Sequence, residues 1–204
     1  MEESIPNPVK VFKKFIPNRD QLLIDLEKKA AKNDIPIVGP FVGHFLAILV
    51  KLSGAKNILE LGTATGYSSI WMGRALKGKK GKLISIEQYE KTARLAEQNI
   101  AKAELSDIVT IKAGIAKDII PQLEMQFDMI FMDVDKEYYG SLLPLCAEKI
   151  KRKGLLVADN TAFKEAQSFN KLIYNSDLWD SVNIFGLWPQ HNPDMDGICL
   201  ALKN

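Results

Sequence analysis

The run from Ile58 to Ser69, Ile-Leu-Glu-Leu-Gly-Thr-Ala-Thr-Gly-Tyr-Ser-Ser, constrains the fold more than any other stretch of the chain. Apolar Ile58, Leu59 and Leu61 read as a buried parallel strand. Gly62 and Gly66 then turn the chain, and Tyr67 to Leu76 has the apolar spacing of a helix. Glycines let a backbone approach a ligand closely, and a helix start offers free N–H groups to polar or anionic groups. The spacing Glu60-x-Gly62-x-x-x-Gly66 lacks one glycine of the Gly-x-Gly-x-x-Gly pattern that favours a dinucleotide pyrophosphate. A carboxylate at Glu60 would repel a pyrophosphate and suit a cationic ligand. A strand–turn–helix with no ligand at all is the competing reading of this run alone.

The rest of the chain repeats the strand–helix theme. Strands are expected at 57–61, 82–87, 108–112, 127–133 and 154–159. Helices are expected at 66–77, 90–103, 116–124, 139–152 and 165–176. Such alternation implies right-handed crossovers and a parallel sheet. At the end, 181–188 and 196–202 read as two strands joined by a short loop, an antiparallel hairpin at one sheet edge. Residues 18–53 read as helix in two pieces, broken around Ile35-Pro36-Ile37-Val38-Gly39-Pro40, where prolines keep their predecessors out of the helical region. The expected fold is α/β: a doubly wound, mostly parallel seven-stranded sheet forming one domain, with 1–53 a helical cap and 54–204 the core. In such sheets ligands bind beyond the carboxyl ends of the strands, where the strand order reverses.

Composition narrows the class. A chain of 204 residues, 47% hydrophobic and 25% charged, can bury a sizeable core without metals or disulfides. A net charge of +2 argues for neither nucleic acid nor an anionic membrane. Cys146 and Cys199 lie far apart in apolar contexts and read as small core residues. No apolar run approaches the ~18 residues of a membrane span, and the Met-Glu-Glu-Ser start lacks a basic region and an apolar stretch. A cytoplasmic enzyme fits these features.

Under this fold the residues that end each strand carry the chemistry. Glu87 ends the second strand, where a carboxylate can accept both hydroxyls of a ribose or cap the following helix. Asp133, Asp135 and Lys136 follow an apolar strand, a costly cluster unless its members are paired or used. Asp159 and Asn160 end the next strand, so Asp133, Asp159 and Asn160 would converge on one spot. Hard oxygen ligands, few and leaving room for water, suit Mg²⁺ or another octahedral cation. Taken alone, Asp159-Asn160 also reads as a turn and cap.

Together these residues resemble a known family. Glu60-x-Gly62-Thr63-x-x-Gly66-Tyr67-Ser68, Asp133-x-Asp135-Lys136-x-x-Tyr139 and Asp159-Asn160 are similar to the metal-dependent O-methyltransferases, which include caffeoyl-coenzyme A and catechol O-methyltransferases. The resemblance covers roughly residues 36–202. It implies S-adenosylmethionine, which carries an ammonium and a sulfonium and no phosphate, with Glu60, Gly62, Thr63, Gly66 and Ser68 about its methionine part. It implies Glu87 on the ribose, Ile115 and Ala116 against the adenine, Asp135 facing the amino group, and Tyr139 nearby. By the same resemblance Asp133, Asp159 and Asn160 are ligands of a divalent cation, with Lys136 the catalytic base beside Asp133. Val38 stands where some relatives have threonine, so a contact there is through backbone or packing. Lys164 stands where some use asparagine on the substrate, and the coenzyme A thioester specificity is not carried over.

The resemblance implies methylation of a small catechol-like or hydroxylated aromatic substrate. Methylation of a hydroxylated uridine in transfer RNA is the rival, with the basic runs Lys77–Lys82 and Lys149–Lys153 its only hints. A cofactor-binding protein without transferase activity is a third reading, against which the Asp133, Lys136, Asp159 and Asn160 set speaks. A homodimer is also implied, with the N-terminal helices its natural interface. His44 reads as a hydrogen-bonded structural histidine and His191 as a solvent-exposed loop residue. Trp188, Phe163 and Tyr139 could wall an aromatic substrate or simply pack the core.

Overall fold

A computed structural model describes residues 5–204. Three helices lead, α1 (Pro8–Phe12), α2 (Gln21–Lys32) and α3 (Gly39–Leu52). Then follow β1 (Asn57–Leu61), α4 (Tyr67–Leu76), β2 (Lys82–Glu87), α5 (Glu90–Lys102), β3 (Val109–Ala113) and α6 (Ala116–Ile119). The chain continues through β4 (Phe127–Met132), α7 (Tyr139–Lys149), β5 (Ile150–Ala158), α8 (Gln167–Tyr174), β6 (Trp179–Leu187) and β7 (Met195–Lys203). The seven strands form one sheet in the order β3-β2-β1-β4-β5-β7-β6. The first five pair in parallel, and β7 runs antiparallel to both β5 and β6. The doubly wound sheet and the closing hairpin are therefore as expected, and the order reverses between β1 and β4.

Alternation along the strands feeds two cores. Ile58 of β1, Leu83 of β2, Met129 and Phe131 of β4 and Val157 of β5 point to the face covered by α2, α3 and α4. Leu59 and Leu61, Ile130 and Met132, and Leu156 and Ala158 point to the other, under α7 and α8. Both cysteines are buried on this second face. Helix α3 brings Val42, Leu46 and Val50 into the same cluster as β1 and α4, so it packs as a layer helix of the sheet. Among the described residues no helix is long and apolar enough to cross a membrane.

Local chemistry explains most element ends. Asp20 caps α2, its side chain accepting from Leu23 N at 3.1 Å, and α2 and α3 stop and start around the proline-flanked break. Three expected helices are shorter than their apolar patterns. The one at 116–124 ends at Ile119 and continues as a 3₁₀ turn over Ile120–Gln122, because Pro121 supplies no amide donor. The one at 139–152 yields at Ile150, which is fully buried and pairs with Phe127, so β5 begins four residues before Gly154. Helix α8 is preceded by a 3₁₀ turn at Lys164–Ala166. The short, largely exposed α1 was not expected from the sequence; Asn7 and Pro8 start it.

Candidate functional site

A cavity of about 620 Å³ opens beyond the carboxyl ends of the parallel strands, at the reversal of strand order. The turn after β1 shapes one wall. Gly62 sits at φ +92°, and a Cβ there would run into the carbonyl of Asp133 after β4. Only glycine lets these two strand ends lie so close. Gly66, at φ +84°, then starts α4 and does not reach the cavity itself.

Most of the residues singled out in the sequence line this space. Val38 comes from the approach to α3, Gly62 and Thr63 from the first turn, Ser68 from α4, and Ile115 and Ala116 from the start of α6. Glu87, Asp133, Asp135, Lys136, Asp159 and Asn160 supply the charged and polar groups. Glu87 is held by two amides, its carboxylate accepting from Ala64 N at 2.9 Å and Tyr89 N at 3.1 Å. Thr63 is held by a hydroxyl contact to Ser85 at 2.5 Å.

Besides Gly66, two expected contacts are corrected. Glu60 does not face the cavity. Period-two alternation turns it to the α4 side of the sheet, where it is fully buried and accepts from Ser68 at 2.5 Å, from Ser85 at 2.6 Å and from Ser69. Burial pushes its carboxyl up to about 7 against the pull of those three hydroxyls, and Asp133 adds to the rise. Its influence on a ligand therefore runs through Ser68. Tyr139 is also fully buried, with its hydroxyl donating toward the carbonyls of Met132 and Asp159, each at 3.0 Å, and its ring edge-on to Phe169. It ties the ends of β4 and β5 together from beneath the site.

At that tied end Asp133, Asp159 and Asn160 come together with Lys136, whose Nζ donates to Asp133 Oδ1 at 2.8 Å. Asp159 is buried, and its Oδ1 has no hydrogen-bond partner among the described residues. A buried carboxylate oxygen left open is costly unless something cationic meets it. Burial lifts the Asp159 carboxyl above its ordinary value against the hydrogen bond from His191, and Asp133 reinforces the rise. Among the described residues no three His, Cys, Asp and Glu side chains are grouped to hold a metal. A cation here would instead rest on two carboxylates and the Asn160 amide oxygen, with other oxygens completing its shell. That donor set fits a hard octahedral ion.

His191 was expected in solvent and is instead 6% exposed, roofing this corner. Its Nε2 donates to Asp159 Oδ2 at 2.9 Å and its Nδ1 to Pro193 O at 2.9 Å. Burial opposes the charged imidazole, but the Asp159 carboxylate outweighs it and lifts the group to about 9. Buried Asp196, missed in the sequence, accepts from Asn160 Nδ2 at 2.5 Å and from Gly197 N at 2.6 Å. The loop holding His191 is anchored by Trp188, whose Nε1 donates to Asp196 O at 3.1 Å and whose ring lies 5.5 Å from Phe45.

Trp188, Phe163 and Lys164 do not line the cavity; its aromatic wall is Tyr67, Tyr89 and Tyr138. The His44 side chain makes no hydrogen bond among the described residues and stacks on Trp71 at 5.4 Å, away from the site. The basic runs Lys77–Lys82 and Lys149–Lys153 lie at the opposite, amino ends of β2 and β5.

Comparison with known proteins gives the family and the fold. A catechol O-methyltransferase of Niastella koreensis is 45% identical over 148 residues, covering 69% of this chain and 66% of that protein. A caffeoyl-CoA O-methyltransferase of Eucalyptus globulus is 32% identical over 152 residues, covering 71% of this chain and 61% of its own length. The chain thus spans about two thirds or less of the length of these curated relatives. The solved O-methyltransferase from Bacillus cereus in complex with SAH superposes with a TM-score of 0.86 at 26% identity, covering 97% of each chain. A family model described as O-methyltransferase matches residues 16–168, three quarters of the sequence, and the chain belongs to that O-methyltransferase family.

Proposed function

We propose that the protein transfers the methyl group of S-adenosylmethionine to a hydroxyl of a small catechol-like substrate, with a divalent cation, Mg²⁺ by preference, at Asp133, Asp159 and Asn160. One observation carries this reading: a single cavity joins the amide-held Glu87 carboxylate at one end to the Asp133, Lys136, Asp159 and Asn160 corner at the other. Relatives named for catechol, and a structural neighbour in complex with SAH, support the same assignment.

In this reading the cofactor supplies an electrophilic sulfonium methyl, and Glu87 takes its ribose hydroxyls while Ile115 and Ala116 pack on the adenine. The cation supplies positive charge that makes a nearby hydroxyl more acidic. Two adjacent hydroxyls would be oriented together at that corner, and fixed orientation removes much of the entropic barrier. Nζ of Lys136 is engaged with Asp133 Oδ1 at 2.8 Å. With a cation taking over the charge of Asp133, Lys136 would stand as the neutral amine that accepts the hydroxyl proton, while the methyl passes to the oxygen and S-adenosylhomocysteine leaves. The tyrosines of the wall and the N-terminal segment 34–38 line the same cavity. Transfer RNA is disfavoured because the basic runs lie at the far end of the strands from the cavity.

The test is methyl transfer from labelled S-adenosylmethionine to catechols, monophenols and unmodified transfer RNA, with and without EDTA. Catechol should be methylated, activity should vanish on chelation, and Mg²⁺ should restore it. Label entering transfer RNA alone would overturn the substrate class. Full turnover in excess EDTA would overturn the role of the cation.

A further inference from the structure

His191 enters the site from the β6–β7 loop and uses one particular oxygen of Asp159. Its Nε2 lies 2.9 Å from Oδ2, while Oδ1 of the same buried carboxylate has no partner among the described residues. The ring is not free to swing away, because Nδ1 is held by the Pro193 carbonyl at 2.9 Å and the imidazole is almost wholly enclosed. Asn160 is treated in the same manner. Its Nδ2 is taken by Asp196 at 2.5 Å, and no donor among the described residues reaches its Oδ1. Asp159, able to offer two oxygens, is thereby reduced to one, and Asn160, which can ligate only through Oδ1, is oriented with that oxygen left open.

This matters because cations differ in how they use a carboxylate. Ca²⁺ gathers six to eight oxygens and readily takes both of a carboxylate, whereas Mg²⁺ requires near-ideal octahedral geometry and commonly takes one. Groups behind the ligands orient them and tune the affinity of the site. We propose that His191 is a positioning residue that confines Asp159 to a single ligating oxygen and so sets the site's preference for a small octahedral cation over a larger one such as Ca²⁺. The inference rests on the cation assigned above to Asp133, Asp159 and Asn160.

The test needs no turnover. Mg²⁺ and Ca²⁺ binding are measured by calorimetry on the full chain and on two variants, with SAH affinity and thermal midpoint as controls for folding. His191→Asn keeps a donor for the Pro193 carbonyl and loses the one to Asp159; His191→Gln does the reverse. Absolute affinities for both ions can rise when the imidazole goes, so the ratio is the readout. The wild type should favour Mg²⁺, the Asn variant should narrow the ratio by about tenfold or more, and the Gln variant should retain it. An unchanged ratio in the Asn variant would overturn the inference and leave the cation assignment standing. Should the Asn variant prove too unstable, loss of the wild-type ratio in the Gln variant would overturn it equally. A wild type that binds neither ion would overturn the cation assignment, and this inference with it.

Discussion

Glu60 offers a direct measurement of how much the wall of the site costs the fold. Its carboxyl is fully buried, and three hydroxyls donate to it while among the described residues no cationic side chain pairs with it. The hydrogen bonds favour the charged form and burial disfavours it. Burial prevails, and the group rises from 4.5 to about 7. At about 1.4 kcal/mol per unit of displacement, the protonated carboxyl contributes roughly 3 kcal/mol of stability. The sign follows from proton binding: between the two values the native state holds the proton and the unfolded chain does not. The contribution is therefore complete below pH 4.5 and is lost as pH rises through about 7. Glu60→Gln removes the titration while leaving donor and acceptor atoms for the serines, whose hydroxyls can do either. Urea unfolding of both proteins at pH 5, 6, 7 and 8 isolates the effect, since other groups cancel in the difference. The stability of Glu60→Gln relative to wild type should climb by about 2–3 kcal/mol from pH 5 to pH 8. Parallel curves would show that the three hydroxyls fully offset burial, and the reasoning would fail.

Three further outcomes are expected. Lys136→Met should leave SAH binding nearly intact while the rate of catechol methylation falls by ~10²–10⁴, the usual worth of a general base. That deficit should shrink for phenols acidic enough to ionise unaided, and a loss independent of substrate acidity would make Lys136 only a partner of Asp133. Glu87→Ala should weaken SAH binding, measured by calorimetry, by about 1–3 kcal/mol through lost charged hydrogen bonds, and unaltered affinity would remove Glu87 from the ribose. Gly39→Ala should lower the thermal midpoint, because at φ +72° its new Cβ would strike the Gln190 carbonyl. The strained backbone alone costs roughly 1–3 kcal/mol, so an unchanged midpoint would mean that α3 and the β6–β7 loop are not locked together there.

The parts of the site that were legible in the sequence are those where function sits on a local pattern. Asp133 and Asp159-Asn160 each follow an apolar strand directly, with Lys136 three residues past Asp133, and parallel pairing of β4 with β5 is enough to bring them together. Glu60 was misplaced for a reason the sequence itself could have exposed. Ile58 faces the side of α3 and α4, so a residue two positions on must face it too, and the serines at 68 and 69 begin the helix on that side. Position in the motif suggested a ligand contact where strand alternation required a buried one. Tyr139 follows similar logic: it opens α7, and α7 packs on the second core, so its ring turns inward beneath the two strand ends.

His191 and Asp196 were illegible for a different reason. Their partners Asp159 and Asn160 stand 32 and 36 residues earlier in the chain, on the far side of α8 and β6. Whether a loop histidine is wet or buried depends on which way the hairpin folds over the sheet. That direction follows from contacts with no local signature: Trp188 against Phe45 of α3, and Gln190 against Gly39 at the start of the same helix. The same contacts bring the segment before α3, including Val38, to the rim of the cavity beside the loop that holds His191. A region that reads as a cap in the sequence thus holds the loop that roofs the acidic corner. Changes at the start of α3 should consequently be felt at Asp159 through that loop, although among the described residues no side chain of α3 hydrogen-bonds to it.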